Sequence, residues 1–362
     1  MHSRGASENE QLGRIKMRVT RRKLIGGGVT LAAFGLPGIH GRAALAQSKR
    51  ILKFNIVANS LGIHIPYMGA LNEMLPGLGY GQPQIDRISR LETITQSILS
   101  GSAEVGSGDA ISVLRAVQAG ADLKIIGNCF MNTDLVFVAN SETVKTDRDL
   151  EKSGVTVAVN SIGDFTYVIL VEPLEKRGID IKKVNVIAMG GSGTRLRALI
   201  AGKIDAVPIH VDQAQELVAT GKFRILIEPW KEFDNFLGEV WIASSSWISN
   251  SDNRRAAVAL LKAVLLGFRR ADNDSQWYAS AYRKYGTDAS IQKDPDSKIE
   301  EIRTILSQTV KAWPPDMHHR IEIYRELLPI YQEAGAISGA INLDNVVDVS
   351  LVTQALKELD HP

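Results

Sequence analysis

Apolar positions along this chain recur in two rhythms, short β-rich runs and longer stretches with helical spacing. Ile51 to Ala58 alternates and predicts a strand, and Asn59-Ser60-Leu61-Gly62 is the turn after it. His64 to Leu75 follows as a helix, with Pro66 tolerated in its first turn and Pro76-Gly77-Leu78-Gly79 ending it. Gln84 to Ile88 predicts a strand, Glu92 to Leu99 a helix closed by Gly101, Ala103 to Gly106 a short strand, and Ala110 to Ala119 a helix. Leu123 to Ile126 and Leu135 to Ala139 are further strands. The polar segment Thr143 to Ser153 is expected to carry the chain into a second lobe, where the pattern restarts. Val155–Val159, Val184–Ala188, Ile204–Val207 and Phe223–Ile227 predict strands, interleaved with helices at Thr166–Lys176 (which Pro173 is placed to kink), Arg195–Ala201 and Asp212–Ala219. The return crossing is placed near Leu237 to Ser244. From Asn253 onward the chain reads as helical, over Arg254–Ala271, Gln276–Tyr285, Lys298–Lys311, Met317–Ala334 and Val346–Leu359, with a break at Pro314-Pro315. These helices are expected on the first lobe, a separate cap being the alternative. Alternating strands and helices imply parallel pairing with right-handed crossovers.

The order repeats. Ser97 to Ile126 and Ala198 to Ile227 align without a gap: Gly101 meets Gly202, Glu104 meets Asp205, and Gly120 meets Gly221. The same offset lays Asn59-Ser60-Leu61-Gly62 on Asn160-Ser161-Ile162-Gly163. Two echoes at one offset point to two copies of one α/β unit. The period is far longer than that of a solenoid, so the expected molecule is bilobal with a cleft between the copies.

At 362 residues the chain has room for about two domains. Its formal charge of +2 hides an asymmetry. Residues 1–46 hold eight Lys/Arg and two Asp/Glu, leaving 34 basic and 38 acidic residues and a formal −4 beyond them. A nucleic-acid role therefore lacks electrostatic support. Thr20-Arg21-Arg22-Lys23-Leu24-Ile25, the glycine-diluted apolar run Leu24 to Ile39 and Ala44-Leu45-Ala46 resemble a twin-arginine export signal cleaved near Ala46, with Met1 or Met17 as the start. The retained alternatives are a membrane anchor or a basic tail. The single cysteine, Cys129, excludes an intramolecular disulfide and reads as a buried thiol.

Ligands of open parallel sheets bind beyond the carboxyl ends of the strands. The loops there are Asn59–His64, Ser89-Arg90, Ser107–Asp109, Asn132-Thr133, Asn160–Asp164, Gly190–Ser192 and Pro208–His210. They are rich in Gly, Ser and Asn and several run into a helix N-terminus, which suits an anion. Arg90 is the candidate charged anchor. Asp109 and Asp164 stand at helix starts, where capping is the ordinary role and accepting a ligand amine the alternative. His64 and His210 stand in loops, Trp241 near the return crossing and Tyr67 on the first helix, each open to a structural or a ligand-facing reading. Gly190-Gly191-Ser192-Gly193 does not fit GxGxxG, because residue 196 is Leu, and no GK[ST] follows it. The motifs HExxH, CxxC and GxSxG do not occur. His318-His319 is expected to lie solvated in a helix.

The export signal, the NSLG loop, LSGSAEVGSGDA and LRALIAGKIDAV together resemble the substrate-binding components of ABC importers, of the nitrate/sulfonate/taurine type, which are related to thiamine-pyrimidine synthase-like proteins. The resemblance covers roughly residues 50–250. It implies a type II periplasmic-binding-protein-like α/β fold: a signal over 1–46, lobe I from 47–142 and 243–362 with the C-terminal helices, and lobe II from 143–242, joined by a hinge of two crossings. It implies a periplasmic monomer that captures a small organic anion, a sulfonate or carboxylate, aromatic ones included, and delivers it to a membrane permease with its ATPase. It implies no catalytic residue, cofactor or metal. The first-shell set it suggests is Asn59, Ser60, Leu61, Arg90, Ser107, Gly108, Asn160, Ser161, Gly191, Ser192 and His210. The alternatives are a thiamine-pyrimidine-related binder or enzyme, disfavoured by the lack of a cysteine-rich motif, and a periplasmic sensing partner.

Overall fold

A computed structural model describes residues 49–287 and 293–360; the expected export signal lies outside them. The chain first lays down β1 (Lys53–Val57), a helical run comprising the 3-10 turn Gly62–His64, α1 (Ile65–Gly69), the π turn Ala70–Met74 and α2 (Leu75–Gly77), then β2 (Gln84–Ile88), α3 (Leu91–Leu99), β3 (Val105–Asp109), α4 (Ala110–Gln118) and β4 (Lys124–Asn128). It then builds β5 (Leu135–Asn140), β6 (Thr156–Val159), α5 (Phe165–Lys176), β7 (Asn185–Ala188), α6 (Ser192–Ile200), β8 (Ala206–His210), α7 (Val211–Ala219) and β9 (Phe223–Ile227). After β10 (Glu239–Ala243) come α8 (Ser245–Ser249), α9 (Ser251–Asn273), α10 (Ser275–Tyr285), α11 (Asp296–Thr304), α12 (Ile321–Glu333) and α13 (Ser350–Asp360). Among the described residues no helix is long and apolar enough to cross a membrane.

The strands form two five-stranded sheets, ordered β2-β1-β3-β10-β4 and β7-β6-β8-β5-β9. One order becomes the other when each strand is replaced by its repeat partner and β10 by β5. The repeat read from the sequence is therefore a repeat of the fold. α3 and α6, and α4 and α7, begin and end 101 residues apart. Gly101 and Gly202 occupy the same left-handed position after matched helices, at φ 73° and 65°, where a side chain would be strained.

Both sheets are mixed, which departs from the expected parallel pairing. β5 runs antiparallel to β8 and β9, and β10 antiparallel to β3 and β4. The cause is an exchange: each of these strands enters its sheet from the other lobe, so it arrives from the opposite direction. The crossings are accordingly 129–134 and 228–238. The first precedes the polar segment 143–153 that was expected to carry it; residues Asp147–Glu151 there form a 3-10 turn after β5 is already in the second sheet. The second ends where β10 starts, so residues 239–243 are a central strand and not a linker.

The C-terminal helices pack mainly on the first lobe. Leu260, Leu261, Val264, Phe268, Tyr278, Ile302 and Leu351 share one core with Phe54, Ile56 and Trp241. α12 reaches farther: Tyr324, Leu327 and Tyr331 share a core with Ile169, Val171 and Leu174 of α5. The Tyr331 hydroxyl donates to the carbonyl of Leu237 in the second crossing, at 3.2 Å, and Phe236 N–H donates to Met131 of the first, at 3.2 Å. Pro173 sits inside an unbroken α5. His318 and His319 precede α12 instead of lying in a helix, and His319 is buried. Its Nδ1 and the Tyr324 hydroxyl both meet Asn128 Oδ1, at 3.3 and 2.7 Å.

Candidate functional site

The sheet orders set the loops in two facing rows. Along the second sheet, β7, β6, β8 and β5 place Gly191 and Ser192, then Asn160, then His210, then Asp134. Along the first, β2, β1, β10 and β4 place Ser89, Asn59, Glu239 and Phe130. These residues line one cleft, whose apolar walls include Val57, Ile88, Leu91, Leu135 and Phe165. The rows touch. Asn59 Nδ2 donates to Ser192 Oγ at 3.1 Å, Asn160 Nδ2 to the Ser89 carbonyl at 3.4 Å, and Ser161 Oγ to Glu92 Oε2 at 2.8 Å.

At one end stands the N-terminus of α6. Gly191 is its N-cap and contributes no side chain; Thr194 N–H turns back to the Gly191 carbonyl at 3.0 Å, which leaves the N–H groups of Ser192 and Gly193 to face a ligand. One turn in, Arg195 is buried. Its Nε and Nη2 donate to the Pro208 carbonyl at 3.0 and 2.9 Å, and Nη1 donates to the Gly190 carbonyl. Burial pulls this guanidinium down to about 10, opposed by the Asp164 carboxyl, so it remains charged at neutral pH. Asp164 caps α5 by accepting from Tyr167 N–H at 3.1 Å and from the Thr166 hydroxyl at 2.6 Å. Burial and then the Asp109 charge push it up to about 7.

The other end adjoins the crossings. His210 Nδ1 lies 2.8 Å from Asp134 Oδ1. Burial opposes protonation of His210, but Asp134, Asp212 and Glu239 outweigh it and raise its pKa above the ordinary histidine value. His64 lies edge-on to His210, ring centroids 5.1 Å apart. Its Nδ1 accepts from Leu61 N–H at 3.2 Å, so in the neutral ring Nε2 carries the hydrogen. That nitrogen is 3.6 Å from Glu239 Oε1, outside hydrogen-bond range.

Five of the eleven expected residues line the cleft: Asn59, Asn160, Gly191, Ser192 and His210. The others do different work. Ser60 Oγ accepts from Arg87 Nη1 at 2.7 Å, and Leu61 is core. Arg90 is exposed and 3.6 Å from Glu92. Ser161 holds Glu92 across the cleft. Ser107 and Gly108 lie within β3 instead of a loop, between β1 and β10. There a Cβ on Gly108 would meet Ile242 Cδ1 at 2.9 Å, so that glycine serves strand packing. Trp241 and Tyr67 are core, their rings 5.4 Å apart. Asp109 is a helix cap, accepting from Ser112 N–H at 2.7 Å. Cys129 is buried outside the cleft lining, and burial pushes its thiol well above the usual range.

Sequence reasoning missed Asp134, Arg195 and Glu239. The repeat held a signal for Arg195: its partner 101 residues earlier is Ile94, a fully buried apolar position, and a charge at such a position marks a special role. His210 likewise takes the place of the capping Asp109, yet its side chain does not cap α7 and turns to Asp134. Among the described residues no group of three or more His, Cys, Asp or Glu is placed to hold a metal ion.

Three solved structures share this architecture. The periplasmic nitrate-binding protein NrtA from Synechocystis PCC 6803 superposes with a TM-score of 0.72 at 13% identity, covering 87% of this chain and 91% of that one. The ligand binding component of an ABC-type import system from Staphylococcus aureus, with zinc bound, gives 0.69 at 12% identity, covering 85% and 99%. The alkanesulfonate-binding protein SsuA from Xanthomonas axonopodis pv. citri, bound to MOPS, gives 0.64 at 16%, covering 84% and 100%. At these identities the likeness is one of fold. No curated protein matches the chain by sequence. The family model described as NMT1/THI5 like matches residues 87–276, over half of the chain, and the protein belongs to that family.

Proposed function

We propose that this chain is a solute-binding protein that captures a small organic anion, a carboxylate or sulfonate, between its two lobes and delivers it to an ABC permease in the inner membrane. The observation that carries this reading is the convergence of the α6 N-terminus, the buried Arg195 and the asparagines of both lobes on one cleft. Preorganised N–H donors and a buried cation in a largely apolar cavity recognise an anion without relying on the net charge of the molecule. The cleft is walled by both lobes, so binding and closure are one event. The NrtA and SsuA likenesses, whose names specify nitrate and alkanesulfonate, support the ligand class. A periplasmic location and export through the twin-arginine segment belong to the same proposal, as does a monomeric state.

The test is a thermal-shift screen of the purified full chain against alkanesulfonates, aliphatic and aromatic carboxylates, nitrate and neutral pyrimidines. A ligand at about a hundredfold over its Kd stabilises by about 2.7 kcal/mol, and the expected hits are organic anions. Stabilisation by neutral pyrimidines alone contradicts the reading.

A further inference from the structure

An anion trap explains only half of the cleft. At its hinge end three side-chain atoms are buried and have no hydrogen-bond partner among the described residues: His64 Nε2, Asp134 Oδ2 and Glu239 Oε2. All three residues line the cleft. Two of the atoms are carboxylate oxygens, and a buried carboxylate oxygen without a donor is expensive. The nearby histidines do not supply the missing donors. His210 Nδ1 faces Asp134 Oδ1, the other oxygen of that carboxylate, and His64 Nε2 stops 3.6 Å from Glu239 Oε1. A second anionic group brought to this end would meet two carboxylates.

We propose that the ligand is ditopic, with a carboxylate or sulfonate held at the α6 end and a protonated amine or comparable N–H donor held by Asp134 and Glu239 at the hinge end. This rests on the capture reading above and names its ligand more narrowly. The sheet order separates the two ends. Ser192 follows β7 and Asp134 precedes β5, three strand steps away, or about 14 Å of backbone. Leu91, Leu135 and Phe165 line the same cleft and suit a methylene or aryl spacer. A compact inorganic anion satisfies one end and leaves the other as it is.

The test is calorimetric titration of the full chain with matched pairs: propanesulfonate against 3-aminopropanesulfonate, and pentanoate against 5-aminopentanoate. The aminated member of a pair is expected to bind about tenfold tighter or more, the worth of one charge-assisted hydrogen bond. That ratio should fall toward one in Glu239→Gln. Asp134→Asn gives an independent reading of the same ratio if the first variant does not fold. If the amine-free members bind equally well or better, the ditopic reading is overturned while anion capture stands. If no anion of either kind binds, capture itself fails, and the ditopic reading with it.

Discussion

Asp164 and His319 are both buried, and they make the stability of the fold depend on pH in opposite senses. Asp164 is raised from 3.8 to about 7, so the folded chain holds its proton more tightly than the unfolded one. Its contribution is present below about pH 4 and lost as pH rises toward 7. Burial lowers His319 from 6.5 to about 4, so its contribution is present above 6.5 and lost as pH falls through 4. Melting temperatures of the wild type and of Asp164→Asn, which keeps a capping side chain, should diverge in favour of the variant as pH rises from 4 to 7. Against His319→Gln, the wild type should gain over the same range. Slopes of equal sign contradict these assignments. At this scale the sequence was half legible. Asn59, Asn160 and Ser192 could be found because small polar residues after strands mark the binding edge, and His210 because it ends β8 at that edge. Asp134 and Glu239 could not, because each precedes a strand that had been assigned to the other lobe or to a linker, and which end of a strand faces the cleft depends on its direction. Arg90 looked like an anchor by charge alone, yet it is exposed beside Glu92.

Among the elements, the helices and most strands were legible because their periodicity is local, and the offset of 101 residues predicted a second copy with the same order. The pairing of β5 and β10 was not, because exchanging one strand between two similar sheets leaves no local trace in either rhythm. The helical extension is fixed to the first lobe by close contacts that periodicity also does not reveal. In α9, a Cβ on Gly267 would lie 2.4 Å from the Pro66 carbonyl oxygen, so the helix backbone there packs directly on α1. Gly267→Ala is expected to destabilise the fold by about 1–3 kcal/mol through overpacking, in spite of the better helix propensity of alanine. A denaturant midpoint equal to or above that of the wild type would mean that α1 and α9 can separate without penalty.

On the scale of the whole molecule, two crossings join the lobes, and contacts made on both sides of the cleft hold them together. Glu92 with Ser161, and Asn59 with Ser192, close the loop side, while Asp212 accepts from Gly62 N–H at 3.0 Å nearer the C-terminal helices. α12 braces both the second crossing and α5, so the extension is part of the hinge as well as a cover for the first lobe. The account as a whole stands on capture of an anionic solute by the residues of both lobes that face the cleft. The most direct measurement is calorimetric titration of the best organic anion from the thermal screen into the full chain, as wild type, Asn160→Ala and Arg90→Ala. One site per chain is expected, with a Kd weakened about tenfold or more in Asn160→Ala, which loses a cleft-lining amide, and a Kd within about twofold of wild type in Arg90→Ala, as befits an exposed charge. A Kd insensitive to Asn160→Ala, with binding abolished in Arg90→Ala, would place the ligand outside this cleft and contradict capture there.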